Sequence, residues 1–111
     1  METSSTMQGN IAVVSVSGSV DALTAEGLVA ALLAEINAGH TRLVADLSSV
    51  DYASSAGLRA ILTALKAARS QGGDFRLAGV QKNVNKVLEL SGFTSILKVY
   101  PDTAAAVASF A

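Results

Sequence analysis

Two serine hydroxyls, Ser54 and Ser55, stand where the chain changes from a strand pattern to a helix pattern. Residues 42–47 before them form a short apolar run, which is typical of a strand covered on both faces. The apolar positions after them fall at helical spacing: Leu58, Ile61, Leu62, Leu65 and Ala68. Small residues at this junction favour an exposed turn over residues 51–59, in which Gly57 would let a partner or a phosphate approach closely. Ser55 is therefore the first candidate for chemistry.

A serine hydrolase would need a histidine base beside Ser55. The single histidine, His40, lies in a helix-to-strand connection, and parallel topology places that connection at the edge of the sheet opposite Ser55. The nucleophile motif G-x-S-x-G is also absent around Ser55. We expect His40 to be an ordinary turn residue and the protein not to be an enzyme. An enzyme that uses Ser55 as its own nucleophile is the alternative.

Other kinds of site lack the residues that they require. The glycine-rich nucleotide motifs are missing, and Asp21, Asp46 and Asp51 are single carboxylates on separate elements, so we expect no cofactor and no metal. A two-component receiver domain would need an acidic pair after the first strand, where Ser17 and Gly18 stand instead. The net charge is −1 without a basic cluster, so nucleic-acid binding is not expected. The absence of cysteine excludes disulfides and thiol chemistry.

Ser55 is left with two roles that do not exclude each other. A serine at the N-terminal end of a helix is often an N-cap, although neither Ser54 nor Ser55 has Glu or Gln three residues later to form a capping box. Ser55 could instead be modified by another protein. A phosphate would add about −1.5 to −2 charges at a helix end that favours negative charge. Arg59, one helical turn later, would partly neutralise it.

Strand and helix patterns alternate along the whole chain. Strands are predicted at residues 11–17, 42–47, 75–80 and 95–100, with a short edge strand at 2–7. Helices are predicted around residues 28–36, 58–68 and 84–88, and from Pro101 through Phe110. This order predicts an α/β fold: a single domain over residues 1–111 with a mostly parallel sheet of four to five strands and about four helices packed on it.

The composition and the N-terminus predict a cytoplasmic protein. Half of the residues are hydrophobic and 15% are charged, which is typical of a folded domain. The first residues carry neither a basic region nor an apolar block, so they do not form a secretion signal. No apolar run approaches the roughly 20 residues of a membrane helix, so we expect no membrane insertion.

Several segments together resemble the STAS family, specifically the stand-alone anti-sigma factor antagonists. Residues 18–21 (GSVD) are similar to the family's G-x-[LV]-D after a strand. Residues 43–52 (LVADLSSVDY) are similar to its strand with the ending D-L-S-x-V-x-[FY]. Residues 53–58 (ASSAGL) align with x-D-S-[ST]-G-L. The tail, from Gly92-Phe93 to an Ala-rich helix, also fits, so the resemblance covers nearly the whole chain.

The resemblance implies an STAS-type fold and a partner-switching function. Members of this group bind an anti-sigma factor that is also a serine kinase, and so release a sigma factor. The kinase phosphorylates the serine two positions before the glycine, which corresponds to Ser55, and a serine phosphatase reverses the modification. ATP and magnesium would belong to the kinase. The predicted partner-binding residues are Asp21, Thr24, Tyr52, Ser54, Ser55, Gly57, Leu58 and Arg59.

Two positions depart from the family pattern. Ser54 replaces the usual aspartate and is a second possible acceptor, and Ala56 replaces a hydroxyl residue. Asp21 matches the pattern and is predicted either to dock the kinase or to cap the first helix. The alternative to a sigma-factor pathway is a STAS subunit of a lipid transporter or a signalling assembly. The sequence carries no signal for an oligomeric state.

Overall fold

One five-stranded sheet runs through the protein in the order β1-β2-β3-β4-β5. The computed structural model describes all residues 1–111. Its strands are β1 (Glu2–Gln8), β2 (Ile11–Val20), β3 (Arg42–Ala53), β4 (Asp74–Ala78) and β5 (Lys98–Tyr100). Only β1 is antiparallel to its neighbour, and the other three pairings are parallel. The predicted α/β class is confirmed, with a single domain built on a mostly parallel sheet.

Four helices cover the two faces of the sheet unequally. They are α1 (Ala25–Asn37), α2 (Ser55–Ser70), α3 (Lys82–Leu90) and α4 (Thr103–Ala108). The first three bury a core of 23 residues on one face, while α4 covers a five-residue core on the other. Alternation along β2 supplies both cores, since Val14 and Val16 enter the larger one and Ile11 and Val13 the smaller one. None of the helices has the length and apolar composition needed to cross a bilayer.

The third strand is longer than the sequence pattern predicts. β3 continues beyond the predicted residues 42–47 to Ala53, so residues 51–53 belong to a strand rather than to a turn. Its second half pairs with the end of β2, with register shifts between Ser15 and Ser17 and between Gly18 and Ser19. These irregularities change the alternation of buried residues: Leu47, Val50 and Ala53 are buried at a spacing of three. A period-two pattern cannot detect a strand of this kind.

The last strand is shorter than predicted. A 3-10 turn (Phe93–Ser95) occupies the start of the predicted segment, and β5 begins only at Lys98. Gly92, with φ 75°, begins this turn, and Ser95 donates a hydrogen bond from its hydroxyl to the Gly92 carbonyl. The turn therefore takes Ser95, the first residue of the predicted strand, and β5 starts three residues later.

The short helix α4 is fastened by an arginine on β4. Arg76 is buried, lies 3.9 Å from the centre of the Phe110 ring, and donates a hydrogen bond to the Ser109 hydroxyl. Its other terminal nitrogen lies 3.5 Å from the Asp74 carboxylate. Burial raises the pKa of Asp74, but hydrogen bonds from the Phe75 N–H and Arg69, with the charges of both arginines, outweigh this and hold that pKa below its usual value.

Candidate functional site

The carboxyl ends of β2 and β3 bring two predicted segments together. Ser19 pairs with Tyr52 and Val20 with Ala53, and the Ser54 N–H then donates to the Val20 carbonyl over 2.9 Å. The turn that follows β2 therefore lies beside the start of α2. This juxtaposition was predicted only through the family resemblance.

The N-cap of α2 is Ser54, one residue before the serine for which the sequence allowed that role. Ser54 has extended dihedral angles (φ −93°, ψ 174°), and its carbonyl accepts from the Leu58 N–H over 3.0 Å. Its hydroxyl accepts from the Gly57 N–H over 3.5 Å, which is long for a hydrogen bond. A cap role for Ser55 is therefore wrong, and Ser54 provides a weak cap instead.

Ser55 is the first residue of α2 and is exposed to solvent. Its hydroxyl makes no side-chain hydrogen bond in the protein, so no internal contact would be lost if it were modified. The first N–H groups of a helix have no partner within the helix, and the helix dipole favours an anion at this end. The position therefore suits a covalently attached phosphate.

Gly57 and Leu58 cannot be contact residues for a partner in this structure, and this part of the prediction is corrected. A Cβ on Gly57 would lie 2.6 Å from the Val20 carbonyl oxygen, so the glycine allows α2 to approach β2 and does not face a partner. Leu58 is 1% exposed and belongs to the larger core. Both residues position Ser55 through packing.

Asp21 and Thr24 hold the turn between β2 and α1 through reciprocal hydrogen bonds. The Asp21 carboxylate accepts from the N–H groups of Leu23 (2.9 Å) and Thr24 (3.2 Å). The Thr24 hydroxyl in turn accepts from the Asp21 N–H over 2.9 Å and donates to the Ser19 carbonyl over 3.1 Å. Of the two roles predicted for Asp21, the structure shows the one resembling a helix cap, because its carboxylate accepts from N–H groups just before α1. Docking of the kinase by Asp21 stays a prediction.

Sequence reasoning missed the most exposed large apolar side chain of this region. Leu23 is 93% exposed, at the tip of the turn that Asp21 and Thr24 hold. Tyr52, which was predicted, is 53% exposed on the neighbouring strand end. The sequence carried no signal for this exposure, since an apolar residue directly before the N-cap of a helix often packs against the fourth helical residue.

Arg59 lies on the exposed side of α2 and forms no ion pair. It lines a groove between α1 and α2, together with Glu26, Val29, Ala56 and Ala60. We use "the Ser55 surface" for the accessible members of this region: Asp21, Leu23, Thr24, Tyr52, Ser54, Ser55 and Arg59. It combines exposed apolar side chains with one cation, Arg59, and one carboxylate, Asp21.

The histidine lies where parallel topology predicts. His40 precedes β3, whereas Ser55 follows it, so the two residues stand at opposite ends of the strand. The His40 Nδ1 lies 2.7 Å from the Glu35 carboxylate. This hydrogen bond is the main cause that lowers the pKa of Glu35. No group of three or more metal-ligating side chains is found in the structure.

Comparison with known sequences gives one family. The model of the STAS domain matches residues 3–106. A protein named as an anti-sigma factor antagonist, BtrV of Bordetella bronchiseptica, is 42% identical over 93 residues, which cover 84% of this chain and 80% of that protein.

Solved structures agree with this result. The crystal structure of an anti-sigma factor antagonist from Mycobacterium paratuberculosis has a TM-score of 0.88 and 27% identity, and covers 97% of this chain and 92% of that one. SpoIIAA of Bacillus, solved in unphosphorylated and phosphorylated forms, has a TM-score of 0.75 with each form, at 16% and 17% identity. The unphosphorylated alignment covers 97% of this chain and 96% of that one, and the phosphorylated alignment covers 99% and 100%. The chain belongs to the STAS domain family.

Proposed function

We propose that the protein is an anti-sigma factor antagonist whose binding is switched by phosphorylation of Ser55. The observation that carries the proposal is the state of Ser55, which is exposed, begins a 16-residue helix and has a hydroxyl without a partner. The name of BtrV supports the function, and the two solved forms of SpoIIAA support phosphorylation as the switch.

The partner in this proposal is a cytoplasmic anti-sigma factor that is also a serine kinase. The unphosphorylated protein binds the kinase through the Ser55 surface, and the sigma factor is released. The kinase, which holds ATP and magnesium, then transfers a phosphoryl group: the Ser55 Oγ forms the new O–P bond, ADP departs, and the hydroxyl proton is lost. A serine phosphatase restores the starting state. The protein itself serves as substrate and binding module, not as enzyme.

Charge is the physical basis of the switch. A phosphate adds about −1.5 to −2 charges to the Ser55 surface, which a partner would cover and remove from water. A buried charge without a matching cation is costly, so the complex is weakened. The fold of the protein tolerates the same phosphate because it lies at the N-terminus of α2, with Arg59 one turn away.

Ser55 is preferred to Ser54 as the acceptor. Ser54 is partly buried, and its hydroxyl is directed at the Gly57 N–H of the first helical turn. Ser55 is exposed and its hydroxyl has no partner in the protein, so it is the more accessible acceptor for a kinase. The replacement of the usual aspartate by Ser54 changes the charge next to the acceptor without changing which hydroxyl is accessible.

Phosphate mapping tests the proposal. The protein, Ser55→Ala and the matched control Ser54→Ala are each incubated with the anti-sigma kinase, ATP and magnesium, and the modified residue is located by mass spectrometry. We expect one phosphate on Ser55 in the wild type and in Ser54→Ala, and none in Ser55→Ala. A phosphate that remains in Ser55→Ala and disappears in Ser54→Ala would show that Ser54 is the acceptor, and the assignment to Ser55 would be wrong. The absence of phosphate from all three proteins would refute the switch.

A further inference from the structure

The two edges of the sheet are protected to different degrees. The edge strand β5 has only three residues, carries Lys98 and is followed by Pro101, and Arg69 donates to the carbonyl of Ile96 just before it. Lysine, proline and shortness are the usual means of preventing an edge from pairing with another chain. The edge strand β1 has seven residues, all exposed, without lysine, arginine, proline or a break in its register with β2. It is an open template for a further strand.

The hairpin turn determines which backbone groups of β1 point outward. Gly9 has φ 64° and no non-glycine residue has positive φ, so Gly9-Asn10 forms a two-residue turn of the II′ kind. The pair that flanks such a turn, Gln8 and Ile11, exchanges hydrogen bonds, and the pairs alternate from there. Every second residue, namely Thr3, Ser5 and Met7, therefore directs its N–H and C=O groups away from β2.

We propose that a second copy of this chain pairs with this edge, β1 antiparallel to β1, about a twofold axis at Ser5. In this register Thr3 faces Met7 of the partner subunit and Ser5 faces Ser5 of the partner subunit. All three outward residues are then paired, giving about six backbone hydrogen bonds. A shift in either direction leaves at least one outward residue of each copy unpaired. The interface is isologous, as a closed dimer requires.

The side chains of β1 suit this register. The only charge of the strand, on Glu2, faces the neutral Gln8 of the partner subunit. Ser4 faces Thr6 of the partner subunit, a pair that is favourable across strands. No like charges meet, and two five-stranded sheets become one continuous sheet of ten strands. No member of the Ser55 surface lies on β1, so each copy keeps its surface free for a partner.

Residue 8 offers a matched pair of test variants. Gln8→Lys places a cation opposite Glu2 of the partner subunit at both ends of the interface, and Gln8→Glu places an anion there. Sedimentation velocity of the full chain over a concentration series up to about 1 mM measures the dimer dissociation constant, because a single added strand gives a weak interface. We expect Gln8→Lys to tighten and Gln8→Glu to weaken the wild-type dimer, each by about two- to thirtyfold from two cross-strand pairs.

A backbone variant tests the edge itself. Ser5→Pro removes an outward N–H that β2 does not use and, with the side chain, a hydrogen bond to Glu35 on α1. Neither group belongs to the β1–β2 pairing, so the variant should retain the wild-type circular dichroism and be monomeric. The proposal is overturned if the wild-type chain remains monomeric over the whole series. It is also overturned if the dimer persists in folded Ser5→Pro, or if its dissociation constant does not depend on the sign of the charge at residue 8.

Discussion

The close approach of α2 to β2 predicts opposite effects of the same substitution at two glycines. Gly57 and Gly27 are both the third residue of a helix, α2 and α1 respectively. A Cβ on Gly57 would lie 2.6 Å from the Val20 carbonyl oxygen and 2.7 Å from the Val20 Cγ1. A Cβ on Gly27 would meet only the Met1 Cε, at 3.6 Å, which is an ordinary contact. A Cβ therefore has room at Gly27 and none at Gly57.

The magnitudes follow from two opposing contributions. Alanine is favoured over glycine in a helix by about 1 kcal/mol, and this gain applies at both sites. At Gly57 the backbone oxygen of Val20 cannot yield as a flexible side chain would, and overpacking of this kind costs about 1–3 kcal/mol. With the hydrogen bond between the Ser54 N–H and the Val20 carbonyl also stretched, we expect a net loss of about 1–2 kcal/mol for Gly57→Ala. Gly27→Ala should gain about 0.4–1 kcal/mol.

Thermal unfolding followed by circular dichroism measures both changes. For a chain of this length one kcal/mol corresponds to about 4 °C in Tm, so Gly57→Ala should unfold about 4–8 °C lower and Gly27→Ala about 2–4 °C higher than the wild type. An unchanged or raised Tm for Gly57→Ala would refute the claim that the glycine is required for the α2–β2 contact. The glycine would then be explained by the role predicted from the sequence, the close approach of a partner or a phosphate.

Three further predictions concern single side chains. Ser54→Ala should lower the free energy of unfolding by about 0.5 kcal/mol, since its cap hydrogen bond is long, whereas Ser55→Ala should leave it unchanged in urea titrations; a larger loss in Ser55→Ala would contradict the cap assignment. Leu23→Ser should weaken binding to the anti-sigma kinase in calorimetry without lowering Tm, and equal affinity would remove Leu23 from the Ser55 surface. The pKa of Asp74 in the folded protein lies below its usual value of 3.8, so its stabilisation is complete above that value and is lost as the pH falls through the lower pKa of the folded state. Asp74→Asn should therefore be less stable than the wild type at pH 7, and the difference in urea titrations should shrink as the pH falls below 3.8. A difference that does not change with pH would contradict this.

The fold could be predicted from local patterns wherever burial follows a regular period. The helical stripe from Leu58 to Ala68 indicated α2, the β-branched residues among 11–17 indicated β2, and the order of the elements indicated a mostly parallel sheet. The pattern failed at Val50 and Ala53, because an irregular pairing with β2 buries residues at a spacing of three. It failed again at Ser95, where a turn begun at Gly92 replaces the start of a strand.

The sequence could predict which segments form the site, but not the burial of their side chains or the distances between them. The neighbourhood of Ser55, Asp21 and Tyr52 was identified through the resemblance to the STAS family. Burial of Leu58 and the contact between Gly57 and Val20 depend on where α2 lies against β2, and no local pattern contains that distance. The exposure of Leu23 follows from hydrogen bonds within its turn, which composition does not reveal.

The affinity of the protein for its anti-sigma kinase, with and without a phosphate on Ser55, tests the central claim most directly. Calorimetry on the unmodified protein, the phosphorylated protein and Ser55→Ala compares residue 55 with a free hydroxyl, with a phosphate and without a hydroxyl. We predict that Ser55→Ala binds as the unmodified protein does, and that the phosphorylated form binds at least about tenfold more weakly, a difference of about 1.4 kcal/mol. Equal affinity of the phosphorylated and unmodified forms would contradict the account.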